Sequence, residues 1–183
     1  MRALVTGGNR GIGLAIVKAL QAKGHEVHSI NSSTDISDEA AAQKAALYFN
    51  PVDILINNAG IFGPVGSLLS YKREDWDRVL EVNLTGMMLM CKHFIPRMVE
   101  RGYGRVVNLS SVVAKDTNPL CPAYTVSKAG IVAMTRCLGL ELAKTGVTVN
   151  CVMPSAVNTD LFRNTPPAQV EAMLKKCPMG RFI

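Results

Sequence analysis

The fold class of this chain is decided by one stretch near its start, Thr6-Gly7-Gly8-Asn9-Arg10-Gly11-Ile12-Gly13. It begins with the last residue of a short β-rich run, Arg2–Thr6, and leads into an apolar-faced segment with helical period, Leu14–Lys23, which Gly24 ends. Glycines in such a turn adopt positive φ and let a diphosphate approach the backbone, while the helix N-terminus supplies amide groups and partial positive charge. The order strand, glycine turn, helix therefore predicts a nucleotide-binding α/β domain.

Apolar runs later in the chain predict four further strands, at Glu26–Ile30, Val52–Ile56, Arg105–Leu109 and Val147–Val152. Helical segments are expected at Asp38–Phe49, about 72–101 and Pro122–Leu142, with another near 167–176. Strands that alternate with helices are typical of a doubly wound parallel sheet, the Rossmann arrangement. We therefore expect one nucleotide-binding domain over residues 1–183, in which residues 155–183 form a partial lid over the substrate.

The end of the second predicted strand bears on the choice of nucleotide. In dinucleotide-binding folds an acidic residue at this place hydrogen-bonds the 2′-hydroxyl of the adenosine ribose. Here the strand runs into Asn31-Ser32-Ser33, which has no carboxylate, and Arg10 in the glycine turn is a candidate for binding a 2′-phosphate. These residues favour NADP over NAD. The alternative is that Arg10 is simply a solvated residue of the turn.

A candidate acid/base pair lies in Tyr124-Thr125-Val126-Ser127-Lys128, within the last long helix. Residues four apart share one helix face, so the ammonium of Lys128 can approach the phenol of Tyr124. A phenol has a pKa of about 10, and lowering it by roughly three units takes about 4 kcal/mol. A partly screened lysine does not supply that alone, whereas a positively charged cofactor ring adds much of the rest. Such a tyrosine exchanges a proton with an alcohol or ketone near neutral pH.

Composition and charge narrow the function classes. The formal charge is +6, but the basic residues are scattered along the chain, which argues against a nucleic-acid partner. Five cysteines without a CxxC spacing predict reduced thiols, a cytoplasmic protein and no metal site. We expect no membrane partner and no signal peptide, because no apolar run reaches bilayer length and the first residues enter a strand directly.

Taken together, these motifs resemble the short-chain dehydrogenases/reductases over essentially the whole chain. The resemblance rests on the glycine turn at residues 6–13 and on Asn57-Asn58-Ala59-Gly60, Val82-Asn83-Leu84-Thr85-Gly86, Ser111 and Tyr124-Thr125-Val126-Ser127-Lys128. Several ordered motifs at compatible spacings are far more specific than any one of them. Within the family, the pattern is closest to the 3-oxoacyl-acyl-carrier-protein reductases.

The resemblance implies a role for each of four catalytic residues. Tyr124 would act as the general acid in ketone reduction and as the base in the reverse direction. Lys128 would lower the pKa of Tyr124 and hold the nicotinamide ribose. Ser111 would bind the substrate carbonyl, and it is preferred to Ser110 because 13 residues separate it from Tyr124 (124 − 111). Asn83 would hold a water that links Lys128 to solvent.

The resemblance also implies a set of cofactor contacts. The glycine turn would line the diphosphate, Asn58 to Gly60 the adenosine side, Asp35 the adenine amino group, and Asn31 with Ser32 the ribose phosphate. The loop that contains Pro154 would meet the carboxamide. The full set of expected cofactor residues is Gly7, Asn9, Arg10, Gly11, Ile12, Gly13, Asn31, Ser32, Asp35, Ile36, Asn58, Ala59, Gly60, Tyr124, Lys128, Pro154, Val157 and Thr159.

Three departures from the family pattern change the expected architecture. The third strand and the helix before it are missing ahead of Asp35, which predicts a narrower sheet with the second strand at its edge. Ser155 replaces the glycine that usually follows the loop proline, so the loop is expected to differ if a positive φ is required there. The usual last helix and strand are also absent, so we expect a homodimer through the long helices and doubt the usual tetramer.

The expected function is therefore that of an NADP-dependent oxidoreductase that interconverts a secondary alcohol and a ketone, with 3-oxoacyl thioester reduction as one form of it. The partners expected are a small ketone, alcohol or acyl thioester. An alternative is a non-catalytic NADP-binding protein with a sensing or partner-binding role. A binding protein has no need of a phenol-ammonium pair, so the complete set of four catalytic residues favours the enzyme.

Overall fold

Five parallel strands form one sheet in the computed structural model, which describes residues 1–31, 33–157, 170–171, 174–175, 177 and 179–182. The strands are β1 (Arg2–Thr6), β2 (Glu26–Ile30), β3 (Ile54–Asn57), β4 (Gly104–Leu109) and β5 (Val147–Val152). Their order across the sheet is β2-β1-β3-β4-β5, and every neighbouring pair is parallel. The predicted doubly wound parallel sheet is confirmed.

Helices connect the strands and cover the sheet. They are α1 (Gly11–Ala22), α2 (Glu39–Phe49), α3 (Arg73–Leu80), α4 (Gly86–Glu100) and α5 (Pro122–Glu141). A π-helical segment, Glu81–Thr85, joins α3 to α4, so the long helix expected at about 72–101 is one run with a widened turn inside it. The helix expected near 167–176 falls mainly outside the described residues.

Apolar side chains pack on both faces of the sheet because alternate residues of a strand point to opposite sides. On one face, Leu4, Leu55 and Val106 pack with residues of α2 and α4, such as Phe94. On the other face, Val5, Ile56 and Leu109 pack with residues of α1. Strands that are buried on both faces read as continuous apolar runs, which is how the sequence revealed them.

The strand order reverses direction between β1 and β3, which places a crevice outside their carboxyl ends. In doubly wound sheets, ligands bind at such a switch point. The second strand lies at the edge of the sheet as predicted, and residues 31 and 33–53 contain no strand. Among the described residues, none after Val152 is in a strand.

Candidate active site

The glycine turn between β1 and α1 has a shape that requires glycine, most clearly at Gly7 and Gly13. Gly7 has a φ of +68°, in the left-handed region that L side chains rarely adopt. At Gly13, a Cβ atom would lie 2.1 Å from the carbonyl oxygen of Gly7. The turn therefore presents bare backbone at the N-terminus of α1, where a phosphate group is favoured.

The end of β3 is braced against this turn by Asn58. Its side-chain nitrogen donates to the carbonyl oxygens of Thr6 at 3.0 Å and Gly7 at 3.2 Å. In return, Thr6 Oγ1 accepts from the backbone N–H groups of Asn58 and Ala59, both at 3.0 Å. These four bonds fix the distance between the glycine turn and the residues after β3. The Asn58 side chain therefore contributes to the site by supporting the turn.

Three of the four expected catalytic residues meet at the start of α5. Lys128 Nζ lies 5.5 Å from the centroid of the Tyr124 ring and donates to the carbonyl oxygen of Leu109, at the end of β4, at 2.7 Å. Ser111 lies two residues after β4, and an interaction of its side chain with the phenol of Tyr124 acts to lower the pKa of that phenol. The neighbouring Ser110 is buried and donates instead to the main-chain carbonyl of Lys128 at 2.7 Å. Of the two serines, Ser111 is the one in contact with the phenol.

The fourth residue, Asn83, lies in the π-helical segment and is fully buried. Its Oδ1 accepts from the N–H of Ile61 at 2.7 Å, and its Nδ2 donates to the carbonyl of Ile61 at 2.8 Å and to Ser127 Oγ at 3.1 Å. Ser127 Oγ donates in turn to the main-chain carbonyl of Tyr124 at 2.7 Å. Asn83 thus ties the residues after β3 to α5, and both N–H groups of its carboxamide are used in doing so.

Burial shifts the pKa values of both members of the phenol-ammonium pair. It raises the pKa of Tyr124, and the hydrogen bond with Ser111 opposes this shift only in part. It lowers the pKa of Lys128 from its ordinary 10.5 to about 8, because the ammonium loses its hydration inside the protein. In this arrangement the tyrosine holds its proton at neutral pH, and Lys128 is still mainly protonated.

The residues expected near the adenosine have varied surroundings. Asp35 accepts from the backbone N–H of Ser37 at 3.0 Å and lies 3.1 Å from Arg78. The hydrogen bonds with Ser37 are the main cause that lowers the pKa of Asp35, and Arg78 lowers it further. Ile36 is buried in the core. Arg10 and Asn31 are exposed, as are Asn9 and Gly11. Ser32 lies outside the described residues.

Beyond β5, the loop expected to meet the carboxamide is described only as far as Val157. Pro154 and Val157 are both partly buried, and the carbonyl of Pro154 accepts from the N–H of Val112 at 3.0 Å. Thr159 lies outside the described residues. Within the part of the chain that is described, no residue other than glycine has a positive φ, so Ser155 carries none of the backbone strain considered for it.

A buried polar network behind the site was missed by the sequence reasoning. Asn57 Nδ2 donates to Asn108 Oδ1 at 2.9 Å and lies 3.4 Å from the Cys91 sulfur, and Asn108 Nδ2 donates to Thr135 Oγ1 at 3.0 Å. The network joins β3 and β4 to α4 and α5 at the level of the active site. Its signal in the sequence is one asparagine near the carboxyl end of each of two strands, Asn57 as the last residue of β3 and Asn108 as the last but one of β4.

The residues fit a nicotinamide dinucleotide on their own geometry. The turn at Gly7 and Gly13 has no room for side chains where a diphosphate approaches the backbone. A Cβ atom at Gly60 would lie 3.1 Å from Asn83 Oδ1 and 3.8 Å from Lys128 Nζ, so the floor of the crevice is also bare beside these two expected catalytic residues. The helices of the described residues do not include one that is both long enough and apolar enough to cross a membrane.

Comparisons with known proteins agree with this geometry. A family model described as short chain dehydrogenase matches residues 30–170. A 2-dehydro-3-deoxy-L-rhamnonate dehydrogenase (NAD(+)) of Sphingomonas sp. is 36% identical over 98% of this chain and 81% of its own length. A 3-oxoacyl-[acyl-carrier-protein] reductase of Escherichia coli is 34% identical over 98% of this chain and 82% of its own length.

A solved structure extends the likeness to the whole fold. The crystal structure of a tryptophan-substituted actinorhodin polyketide ketoreductase with NADPH has a TM-score of 0.89 and 30% sequence identity to this chain. The match covers 100% of this chain and 84% of that one. Family model, relatives and structure point the same way, so the chain belongs to the short-chain dehydrogenases/reductases and is an oxidoreductase.

Proposed function

We propose that the protein is an NADP-dependent enzyme that interconverts a secondary alcohol and a ketone, with Tyr124 as the acid and base. The observation that carries this proposal is the arrangement around one phenol. Tyr124 has Ser111 at its hydroxyl and Lys128 near its ring, at the carboxyl edge of a parallel sheet. The nicotinamide cofactor supplies or accepts the hydride, and the chain's own residues supply orientation and proton transfer.

In ketone reduction, Tyr124 donates its proton to the carbonyl oxygen. Its raised pKa keeps the proton in place at neutral pH until negative charge develops on that oxygen. Ser111 donates a hydrogen bond to the same oxygen, which stabilises the developing charge. Both groups are within reach of one substrate atom because Ser111 lies two residues after the end of β4 and α5 places Tyr124 beside it.

Lys128 stabilises the phenolate that remains after the transfer. Its ammonium is held by the carbonyl of Leu109, and a cation near a phenol favours the ionised form. The carboxamide of Asn83 is already bonded to Ile61 and Ser127. We therefore infer that Asn83 serves the proton path mainly by fixing α5, and that any water it holds is bound by its remaining lone pairs or its main chain.

The preference for NADP rests on the residues near the ribose. No carboxylate follows β2 at Asn31, and Arg10 is exposed in the glycine turn. The ketoreductase that this fold resembles was solved with NADPH, whereas the rhamnonate dehydrogenase relative is named for NAD(+). We expect Arg10→Ala to weaken NADPH binding about tenfold or more and to leave NADH binding unchanged, because only NADPH carries the 2′-phosphate.

Two substrate classes are supported by the relatives. The likeness to 3-oxoacyl-[acyl-carrier-protein] reductases favours a 3-oxoacyl thioester. The 36% identity to a 2-dehydro-3-deoxy-L-rhamnonate dehydrogenase favours a deoxy sugar acid as the second candidate. A thioester offers an apolar chain and a sugar acid offers hydroxyls and a carboxylate, so one panel that contains both compounds separates the two.

Fluorescence titration with NADPH and NADH, followed by cofactor oxidation against this panel, tests the proposal. We expect saturable binding with a preference for NADPH and turnover of at least one ketone. Tyr124→Phe removes only the phenolic oxygen, so it should retain cofactor affinity and lose kcat by orders of magnitude. Saturable binding with no turnover of any ketone would instead support the non-catalytic alternative, and absence of binding would refute the proposal.

We also propose a homodimer through α4 and α5, and a cytoplasmic location. A surface groove between these helices is lined mostly by apolar residues, including Met88, Ile95 and Met134, together with the charged Lys92 and Glu141. Light scattering after chromatography should show a dimer that Met88→Glu disrupts. Leu47→Glu, on the exposed face of α2, is the matched control and should leave the dimer intact.

The cytoplasmic location rests on the cysteines. All five are free thiols, which fits a reducing compartment.

A further inference from the structure

The residues after β3 place an aromatic ring on the candidate catalytic tyrosine. The centroids of the Phe62 and Tyr124 rings are 4.8 Å apart and their planes are inclined by 38°. This separation is in the range of favourable aromatic pairs. Together with the Lys128 ammonium at 5.5 Å, the phenol ring has one apolar and one cationic neighbour.

Phe62 is held there by the hydrogen bonds of its neighbours. Ile61 is bonded through both its N–H and its carbonyl to the side chain of Asn83. Asn83 is bonded to Ser127, and Ser127 to the main chain of Tyr124. The backbone before Phe62 and the helix under it are thus parts of one bonded unit, so the ring contact is fixed by the frame of the site.

The chain after Phe62 is also constrained. Gly63 has a φ of +76°, and a Cβ there would lie 2.5 Å from a methyl carbon of Val79, so the chain turns sharply at this point. Further on, the N–H of Gly66 donates to the carbonyl of Leu120 at 2.9 Å, which ties the loop to the segment that enters α5. Phe62 therefore lies between two fixed points.

We propose that Phe62 is a positioning and specificity-determining residue, an inference that rests on the proposed role of Tyr124. Its ring excludes water from the phenol, and it offers an apolar wall beside the position where the substrate's carbonyl carbon must lie. The same loop and its neighbour continue with exposed apolar residues, Val65, Leu68 and Leu120. The substrate class that such surroundings select is a ketone or secondary alcohol with a hydrophobic substituent, rather than a polyhydroxylated acid.

The test compares 2-butanol with 2-heptanol as substrates for oxidation with NADP⁺, because these alcohols differ only in the length of an apolar arm. We expect wild type to prefer 2-heptanol, and Phe62→Ala to reduce the ratio of kcat/KM values about tenfold, since buried methylenes discriminate on this scale. Phe62→Leu keeps an apolar wall and should restore part of the ratio. Leu69→Ala, at a side chain that is 98% exposed, is the loop control and should leave the ratio unchanged.

A pH profile separates positioning from a merely structural role. Burial raises the pKa of Tyr124, so opening the site to water by Phe62→Ala should lower that pKa. The rise of kcat/KM for oxidation with pH should then occur at a lower pH than in wild type. An unchanged substrate ratio together with an unchanged profile would overturn the inference, even if the variant melts earlier. Wild type that turns over a ketone of the panel but shows no preference for 2-heptanol would overturn this inference and leave the proposed function standing. Wild type that binds NADPH but turns over no ketone of the panel would overturn the proposed function, and this inference with it.

Discussion

Replacement of Lys128 by methionine should stabilise the protein at neutral pH and remove a specific pH dependence of its stability. Lys128 is only 4% exposed and donates one hydrogen bond, to the carbonyl of Leu109. Burial lowers its pKa from the ordinary 10.5 to about 8. Methionine has a similar length without a charge, so it removes the buried ammonium while filling most of the same space.

The magnitude follows from the two pKa values. At pH 7, the folded and unfolded chains both carry the proton, and the folded chain holds it at a disadvantage. One pKa unit corresponds to about 1.4 kcal/mol, so the fall from 10.5 to about 8 sets the disadvantage at roughly 3 kcal/mol. Between about pH 8 and pH 10.5, the unfolded chain binds more protons than the folded chain. The free energy of unfolding of wild type therefore rises with pH relative to that of the variant.

Urea unfolding of both proteins without cofactor, from pH 7 to pH 10.5, measures this difference. We expect Lys128→Met to be the more stable protein at pH 7. The variant also leaves the Leu109 carbonyl without its donor, which lowers its stability by the same amount at every pH. Its advantage should shrink by up to about 3 kcal/mol as the pH rises from about 8 to 10.5. Lys18→Met, at an exposed position on α1, controls for the loss of one positive charge. A difference between wild type and Lys128→Met that stays constant over this range would refute the reasoning.

Three further outcomes follow from the geometry of the site. Gly13→Ala should destabilise the protein by about 3 kcal/mol or more in urea unfolding and abolish cofactor binding, because its Cβ would lie 2.1 Å from a backbone oxygen. Gly66→Ala is the control: its Cβ would meet open space, so neither effect is expected. Thr135→Val should cost about 1–3 kcal/mol in the same assay, because it leaves the buried amide of Asn108 without its acceptor. The kcat/KM for ketone reduction should fall above about pH 8 in a pH-rate profile, as Lys128 loses its proton.

Much of the fold was predictable because the strong local signals coincide with buried elements. The strand at Val147–Val152 was predicted to the residue, and the long helix around Asn83 to within one residue at each end. The first four residues of the strand alternate between buried and exposed, and the second part of the helix, α4, has a buried apolar face. The glycine turn was predictable for another reason, since only glycine fits at Gly7 and Gly13.

What escaped the sequence depends on contacts between residues far apart in the chain. The π-helical turn at Glu81–Thr85 has ordinary helical residues and becomes visible only when Asn83 is seen bonded to Ile61. The ring contact of Phe62 depends on the same bond. The raised pKa of Tyr124 was also not foreseen, because a spacing of four residues shows that a cation is near and does not show how dry the site is.

The polar residues of the interior explain why the site is rigid enough for its chemistry. The buried polar side chains among the described residues are Thr6, Asn57, Asn83, Asn108, Ser110, Ser127, Lys128 and Thr135. All of them lie at the carboxyl ends of β1, β3 and β4 or on the helical elements packed there. A buried hydrogen bond adds little net stability, but a buried donor or acceptor without a partner costs more. Such a network therefore favours one arrangement over all near alternatives. The network thus holds the phenol and the ammonium in one relative position. Apolar packing alone does not achieve this, because apolar contacts tolerate small displacements that proton transfer does not.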